Sequence, residues 1–111
     1  MGEQVTLKEN RDFCRLYKRG KSYVSPVLVT YVMKNRTGQV RYGITTSKKT
    51  GIAVQRNRSR RLIREAFRQL APGVKGGYDF VFVARARTPH VKCGKVMDAM
   101  SIQLRQAGVL K

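Results

Sequence analysis

The sequence predicts a single α+β domain, a two-layer sandwich of helices on a small, mostly antiparallel sheet. Three observations carry that prediction. Helical and alternating apolar patterns follow one another in the order α-β-β-α-β-α. The segment YDFVFVAR, Tyr78 to Arg85, is apolar at nearly every position, as a strand covered on both faces must be. The chain has 111 residues, enough for one modest core, with no internal repeat or low-complexity stretch to divide it.

The elements follow in order. Thr6-Leu7-Lys8-Glu9 fits a capping box, with Asn10 as a second candidate cap. The helix beyond it carries Phe13, Leu16 and Tyr17 on one side and is expected to stop at Gly20. Ser22 to Met33 is rich in Val, Tyr and Thr and reads as a strand. After the turn residues Asn35-Arg36-Thr37-Gly38, Val40 to Ser47 alternates Val40, Tyr42 and Ile44 against Arg41, Gly43 and Thr45. These two strands read as an antiparallel hairpin. Gly51 opens a second helix and Pro72-Gly73 closes it; Gly76-Gly77 then leads into the apolar strand. Thr88-Pro89 resembles a helix start interrupted by Gly94. Val96, Met97, Met100, Leu104 and Ala107 have the spacing of a final core-facing helix.

Charge narrows the function. Lys and Arg number 24 against 6 acids, a formal net charge of +18. Self-repulsion of that size calls for a polyanionic partner, either nucleic acid or an anionic membrane. The membrane is the weaker reading, because no apolar run approaches the ~20 residues of a spanning helix. The opening MGEQVTLKEN lacks the apolar stretch of a secretion signal, and its Gly2-Glu3 start is a poor myristoylation context. Cys14 and Cys93 lie far apart, which suits a reduced, cytoplasmic protein better than a disulfide framework.

The second helix, VQRNRSRRLIREAFRQL, concentrates the charge. At about 100° per residue, Leu62, Ile63, Ala66, Phe67 and Leu70 share one arc with Ser59 at its middle. Arg60, Arg61, Arg64 and Arg68 lie opposite, with Asn57 among them, while Arg56 and Arg58 border the N-terminal end. Glu65 is their only local counter-charge. Ordinary solvated helices mix both signs, so this face is expected to bind phosphate, for which guanidinium is better shaped than ammonium. The helix N-terminus, with Lys48 and Lys49 beside it, suits a phosphate or a hydrated metal–phosphate cluster. Phe13 and Tyr17, four residues apart, suit either a core or, with Tyr31, a base-stacking platform beside a basic rim. Catalytic chemistry is poorly supplied. His90 and Cys93 lack a second ligand pair, and Glu3, Glu9, Asp12, Glu65, Asp79 and Asp98 are scattered, with Asp12 and Glu65 expected on the surface. No phosphate-binding glycine loop occurs.

The segment RYGITTSKKTGIAVQRNRSRRLIREAFR resembles the signature region of the bacterial ribonuclease P protein subunit. DFCRLYKRG resembles its first helix and YDFVFVAR the strand after the motif helix. The resemblance implies a ribosomal protein S5 domain 2-like fold with a left-handed βαβ crossover, against the usual right-handed rule. It implies an RNA-binding, tRNA-processing role in a ribonucleoprotein endonuclease. There an RNA subunit removes the 5′ leader of precursor tRNA with Mg²⁺, and the protein holds the leader. Carried over by position, Lys48, Lys49, Arg56, Asn57, Arg58, Arg60, Arg61, Arg64 and Arg68 would meet the RNA subunit. Phe13, Tyr17, Tyr31 and Ser47 would line the leader cleft. No protein residue would ligate metal directly, although Mg²⁺ near Asn57 is compatible with RNA phosphates there. Tyr17 stands where the family commonly has Phe, and Thr46 where it has Val. A ribosomal or other structural RNA-binding protein is the alternative; a protein-only nuclease is disfavoured by the missing acid cluster.

Overall fold

The computed structural model describes residues 4–110, so the Gly2-Glu3 lipidation context lies outside the described residues. The elements are β1 (Gln4–Thr6), α1 (Asn10–Arg19), β2 (Lys21–Val24), β3 (Leu28–Lys34), β4 (Val40–Thr45), α2 (Ala53–Leu70), β5 (Tyr78–Ala84) and α3 (Cys93–Gln106). Short 3-10 turns at Ala71–Gly73 and Thr88–His90 follow α2 and β5. The strands form one sheet in the order β1-β4-β5-β3-β2.

Strand β5 holds the centre because its side chains are apolar in both directions. Phe80 and Phe82 point to one face and pack with Phe67 of α2, ring centroids 5.7 and 5.0 Å away. Ile63, Val96, Met100 and Leu104 complete that core. Val81 and Val83 point the other way, into a smaller cluster with Leu7, Leu16, Phe13, Tyr31 and Met33. Burying each such side chain is worth ~1.5–3 kcal/mol, and only a central position offers cover on both faces.

That placement overturns several sequence expectations. Helices lie on both faces, α2 and α3 on one and α1 on the other, so the domain is not a two-layer sandwich. The sheet is mixed rather than mostly antiparallel: β1 and β5 run parallel to β4, while β3 is antiparallel to β5 and to β2. The expected hairpin between the second and third predicted regions is also wrong, since β5 lies between β3 and β4. The hairpin is instead β2–β3, cut from what reads as one strand. Pro26 has no N–H for a ladder, and the Ser25 hydroxyl accepts from the N–H groups of Val27 and Leu28 at 3.2 and 3.0 Å.

At the start, Thr6 is in β1, not a cap. Helix α1 begins after Glu9, which makes no side-chain cap hydrogen bond. Gly20 does end α1, where the backbone turns extended, and only glycine fits there: a Cβ would meet the Leu16 carbonyl oxygen at 2.6 Å. The turn after β3 uses Gly38 at φ 76°, the left-handed region that glycine tolerates. The turn at Thr88-Pro89 does not run on into α3: Val91 and Lys92 are extended, and the helix starts afresh at Cys93 with Gly94 in its first turn.

One buried polar residue ties α3 to the hairpin. Gln103 accepts from the Thr30 hydroxyl at 2.6 Å and donates to the carbonyls of Tyr23 and Leu28 at 3.0 and 2.8 Å. Both side chains are almost wholly inaccessible, so an unpaired partner would carry its full desolvation cost. Gln103→Leu is expected to lower stability by ~1–3 kcal/mol, read from the urea midpoint. Adding Thr30→Val should cost less than the sum of the two single changes.

Candidate nucleic-acid interface

Helix α2 buries Ser59, Ile63, Ala66 and Phe67, with Leu62 and Leu70 half-buried beside them. The face opposite is the arginine face that the helical wheel predicts. Asn57, Arg58, Arg61, Arg64 and Arg68 are exposed, and Arg56 and Arg60 half-exposed. Ser59 earns its buried position by donating to the Gln55 carbonyl one turn back, at 2.9 Å.

Packing divides the cations into two flanks. Arg60 and Arg64 border a small cleft shared with Thr6, Leu7, Phe13, Tyr42 and Ile44, at the β1 edge. Arg58 and Arg61 border another with Leu62, Glu65 and Cys93, toward α3. Arg68 is partly spent, because Glu65 accepts from it through both carboxylate oxygens, at 3.1 and 2.5 Å. The hydrogen bonds from Arg68 and then Gln69 hold the Glu65 carboxyl below its ordinary pKa, and Arg68 is raised in return.

The Arg-Asn-Arg segment is anchored at both ends. Arg56 Nη1 donates to the Gly51 carbonyl at 3.1 Å, and Arg58 Nε to the Pro89 carbonyl at 2.7 Å. Each guanidinium keeps further N–H groups for a ligand, so two donors are oriented in advance with Asn57 between them. Pro89 is remote in sequence, and nothing in the local pattern announces it.

The approach to α2 is equally ordered. Ser47 Oγ accepts from the Lys49 N–H at 3.2 Å, and the Thr50 N–H donates to the Ser47 carbonyl at 2.9 Å, holding Lys48 and Lys49 outward. Gln55 Oε1 accepts from the Ile52 N–H at 3.0 Å, but Ile52 itself supplies no side-chain cap. The first turn therefore offers free N–H groups beside two lysines, the setting that favours anions.

On the other side of the sheet, Phe13, Tyr17 and Tyr31 do come together. Tyr17 and Tyr31 meet edge to face with centroids 4.9 Å apart. Tyr17 is 42% exposed and its hydroxyl donates to Thr45 Oγ1 at 3.4 Å. Phe13 lies over Gly43, where a Cβ would meet its ring at 2.4 Å. Phe13 is thus partly a packing residue and Tyr17 the open one. Ser47, two residues beyond Thr45, links this platform to the start of α2.

Two features escaped the sequence reading. Asp79 is fully buried and accepts from Arg41 Nε and Nη2 at 2.8 and 2.7 Å and from Asn35 Nδ2 at 2.7 Å. The bond to Asp79 holds Arg41 above its ordinary pKa against the cost of burial. Asp12, expected on the surface, is buried and paired with Arg15, because α1 packs that side against the sheet. A metal is poorly served by these side chains. Among the described residues no three His, Cys, Asp or Glu side chains converge. Asn57 offers one amide oxygen amid arginines, whereas Mg²⁺ takes about six oxygens. An ion there would need its oxygens from another molecule.

Thr46 buries a hydroxyl oxygen with no hydrogen-bond partner. Thr46→Val keeps the shape and removes the unpaired group, so a gain of ~1 kcal/mol is expected, measured by thermal or urea unfolding.

Known proteins share this sequence and this fold. The ribonuclease P family model matches residues 1–108. The ribonuclease P protein component of Pelotomaculum thermopropionicum is 42% identical over 103 residues, covering 93% of this chain and 92% of that protein. That of Clostridioides difficile is 50% identical over 80 residues, covering 71% and 70%. The solved structure of the Staphylococcus aureus RNase P protein superposes with a TM-score of 0.85 at 31% identity, covering 98% of this chain and 100% of that one. The Thermotoga maritima protein gives 0.80 at 30% identity, covering 91% and 96%. A family match along almost the whole chain, joined to relatives alike in sequence and in fold, makes this protein a member of the ribonuclease P protein family.

Proposed function

We propose that this chain is the non-catalytic protein subunit of a ribonucleoprotein endonuclease. It grips the catalytic RNA subunit through the α2 face and the 5′ leader of precursor tRNA across the aromatic platform. The observation that carries the reading is the pairing of these two surfaces. An acid-poor arginine helix with oriented donors is joined, through the Ser47–Thr50 turn, to an exposed tyrosine on a sheet face.

Each group has a defined task in this reading. Lys48, Lys49 and the free N–H groups at the start of α2 bind phosphate by charge and dipole. Arg56 and Arg58, held by backbone carbonyls, present pre-aimed donors around Asn57. Arg60, Arg61, Arg64 and Arg68 neutralise the RNA backbone and lower the repulsion between two RNA chains. Tyr17, backed by Tyr31 and Phe13, stacks an unpaired leader base, with Ser47 at the edge of that cleft. Mg²⁺ belongs to the RNA subunit, where it stabilises the charge that develops at the cleaved phosphate. No side chain here does acid–base work. The setting proposed is the cytoplasm; among the described residues no helix is long and apolar enough to cross a membrane.

We also read the β4–α2–β5 crossover as left-handed, in keeping with the S5-like fold that the resemblance implies. Chirality supports this. The Tyr42 ring packs 4.9 Å from Phe67, so its side chain faces α2, while its carbonyl accepts from the Leu7 N–H on the β1 side at 2.7 Å. Seen from its side-chain face with the strand running upward, an L-residue points its carbonyl to the right. That puts β1 on the right and β5 on the left, and the helix crosses leftward in front of the sheet.

The decisive experiment is precursor-tRNA cleavage by a bacterial ribonuclease P RNA at low Mg²⁺, with and without this protein. Stimulation is expected. None at all, with an RNA that is active alone at high Mg²⁺, would sink the proposal, and cleavage by the protein without that RNA would make it a nuclease. Tyr17→Ala should weaken precursor binding by ~1–3 kcal/mol, the worth of one base stack, and leave mature-tRNA binding nearly unchanged. Equal losses for both RNAs would argue against a leader site.

A further inference from the structure

Most of the buried polar side chains have tasks already described. Asp12 and Asp79 hold arginines, Gln103 holds Thr30, and Ser59 bonds within α2. Thr50 and Thr88 take no part in those contacts, and they flank the crossover: Thr50 precedes α2 and Thr88 follows β5. Thr88 is the more firmly held of the two. It is wholly inaccessible, and its hydroxyl donates to the Val27 carbonyl at 2.7 Å and accepts from the Arg85 N–H at 2.8 Å. The corresponding distances at the Thr50 hydroxyl are 3.4 and 3.5 Å.

The turn that Thr88 opens ends in a contact with the arginine helix. Its N–H groups are closed locally, Thr88 donating to the Arg85 carbonyl and His90 to the Arg87 carbonyl, each at 3.0 Å. The Pro89 ring restricts the backbone between them. The Pro89 carbonyl, set by that turn, accepts from Arg58 Nε at 2.7 Å. A guanidinium held through Nε keeps its Nη hydrogens free for a phosphate. Arg61 and Arg64, on the same exposed face, make no side-chain hydrogen bond among the described residues. A free arginine must be ordered as it binds, which costs about 2- to 10-fold in affinity per side chain. Arg58 is ordered beforehand.

We propose that Thr88 is a positioning residue for the RNA-subunit site: its buried hydroxyl holds the turn whose Pro89 carbonyl aims Arg58. Affinity for the RNA then depends on a side chain that no RNA can touch. The inference rests on the reading of α2 as the RNA-subunit face, and adds a support from outside that helix, since Pro89 lies 31 residues from Arg58. Valine has nearly the shape of threonine but cannot bridge the Val27 carbonyl and the Arg85 N–H. What Thr88 contributes is therefore its hydroxyl rather than its volume.

The test measures binding of the full chain to a bacterial ribonuclease P RNA, beside NMR of the arginine Nε–H groups in the free protein. In the native chain the Arg58 Nε–H is expected to exchange with water more slowly than those of Arg61 and Arg64. Thr88→Val should remove that protection and weaken RNA binding by about 2- to 10-fold, the cost of ordering one arginine on binding. Thr88→Ser should restore both. Arg58→Ala should weaken binding by about tenfold, and Thr88→Val added to it should cost nothing further. A role in folding alone would lower affinity equally with or without Arg58, so additive losses would overturn the proposal. So would an Arg58 Nε–H that exchanges as fast as that of Arg61 in the native chain, a result that needs no variant to fold. A protected Arg58 whose replacement leaves RNA affinity unchanged would instead overturn the reading of α2 as the RNA-subunit face. The RNA role of Thr88 would fall with that reading, and the link from Thr88 through Pro89 to Arg58 would stand.

Discussion

Everything in this domain hangs on the two-sided burial of β5. A strand with Phe80 and Phe82 on one face and Val81 and Val83 on the other cannot lie at an edge or face water without exposing large apolar area. It therefore sits between β3 and β4, with α2 and α3 above and α1 below. Both candidate surfaces follow from that. The helix above shows its arginines outward because its apolar stripe is spent on β5. The helix below leaves Tyr17 open because only its Leu16 edge is needed to cover Val81.

The same arrangement manages the charge. A net charge of +18 on a chain of 111 residues would oppose folding if concentrated. The acids are few, and four of the six hold a cation: Asp79 fastens Arg41, Asp12 fastens Arg15, Glu65 restrains Arg68 and Glu9 pairs with Arg11. The remaining cations are spread over loops, turns and all three helices, most of them exposed. Binding an RNA chain would relieve repulsion as well as gain contact.

What could be read in advance was whatever depends on neighbours along the chain. The wheel of α2 sorted Ile63 and Phe67 from Arg61 and Arg64 correctly, since 3.6-residue periodicity is local. The same holds for the double burial of β5 and the stop at Gly20. Pairing partners were not legible. β3 and β4 are consecutive and joined by good turn residues, yet β5, far along the chain, takes the place between them because it has the most to bury. The split at Pro26 was legible and overlooked. Thr6 had the composition of a cap and became a strand residue because β4 offered it a parallel partner.

For the site itself, residue types carried much of the information. Arginine excess, scarce acids and paired aromatics pointed to phosphate binding ahead of acid–base chemistry, since those chemistries belong to side chains wherever they stand. Geometry decided which groups act together. Only the folded chain brings Pro89 under Arg58 and Asp79 against Arg41. Only the fold sets Tyr31 beside Tyr17 and the Thr88 hydroxyl against the Val27 carbonyl. The physical reason is range: propensity and periodicity act over a turn or two of chain, whereas burial and ion pairing are settled by elements that meet only after the sheet has closed.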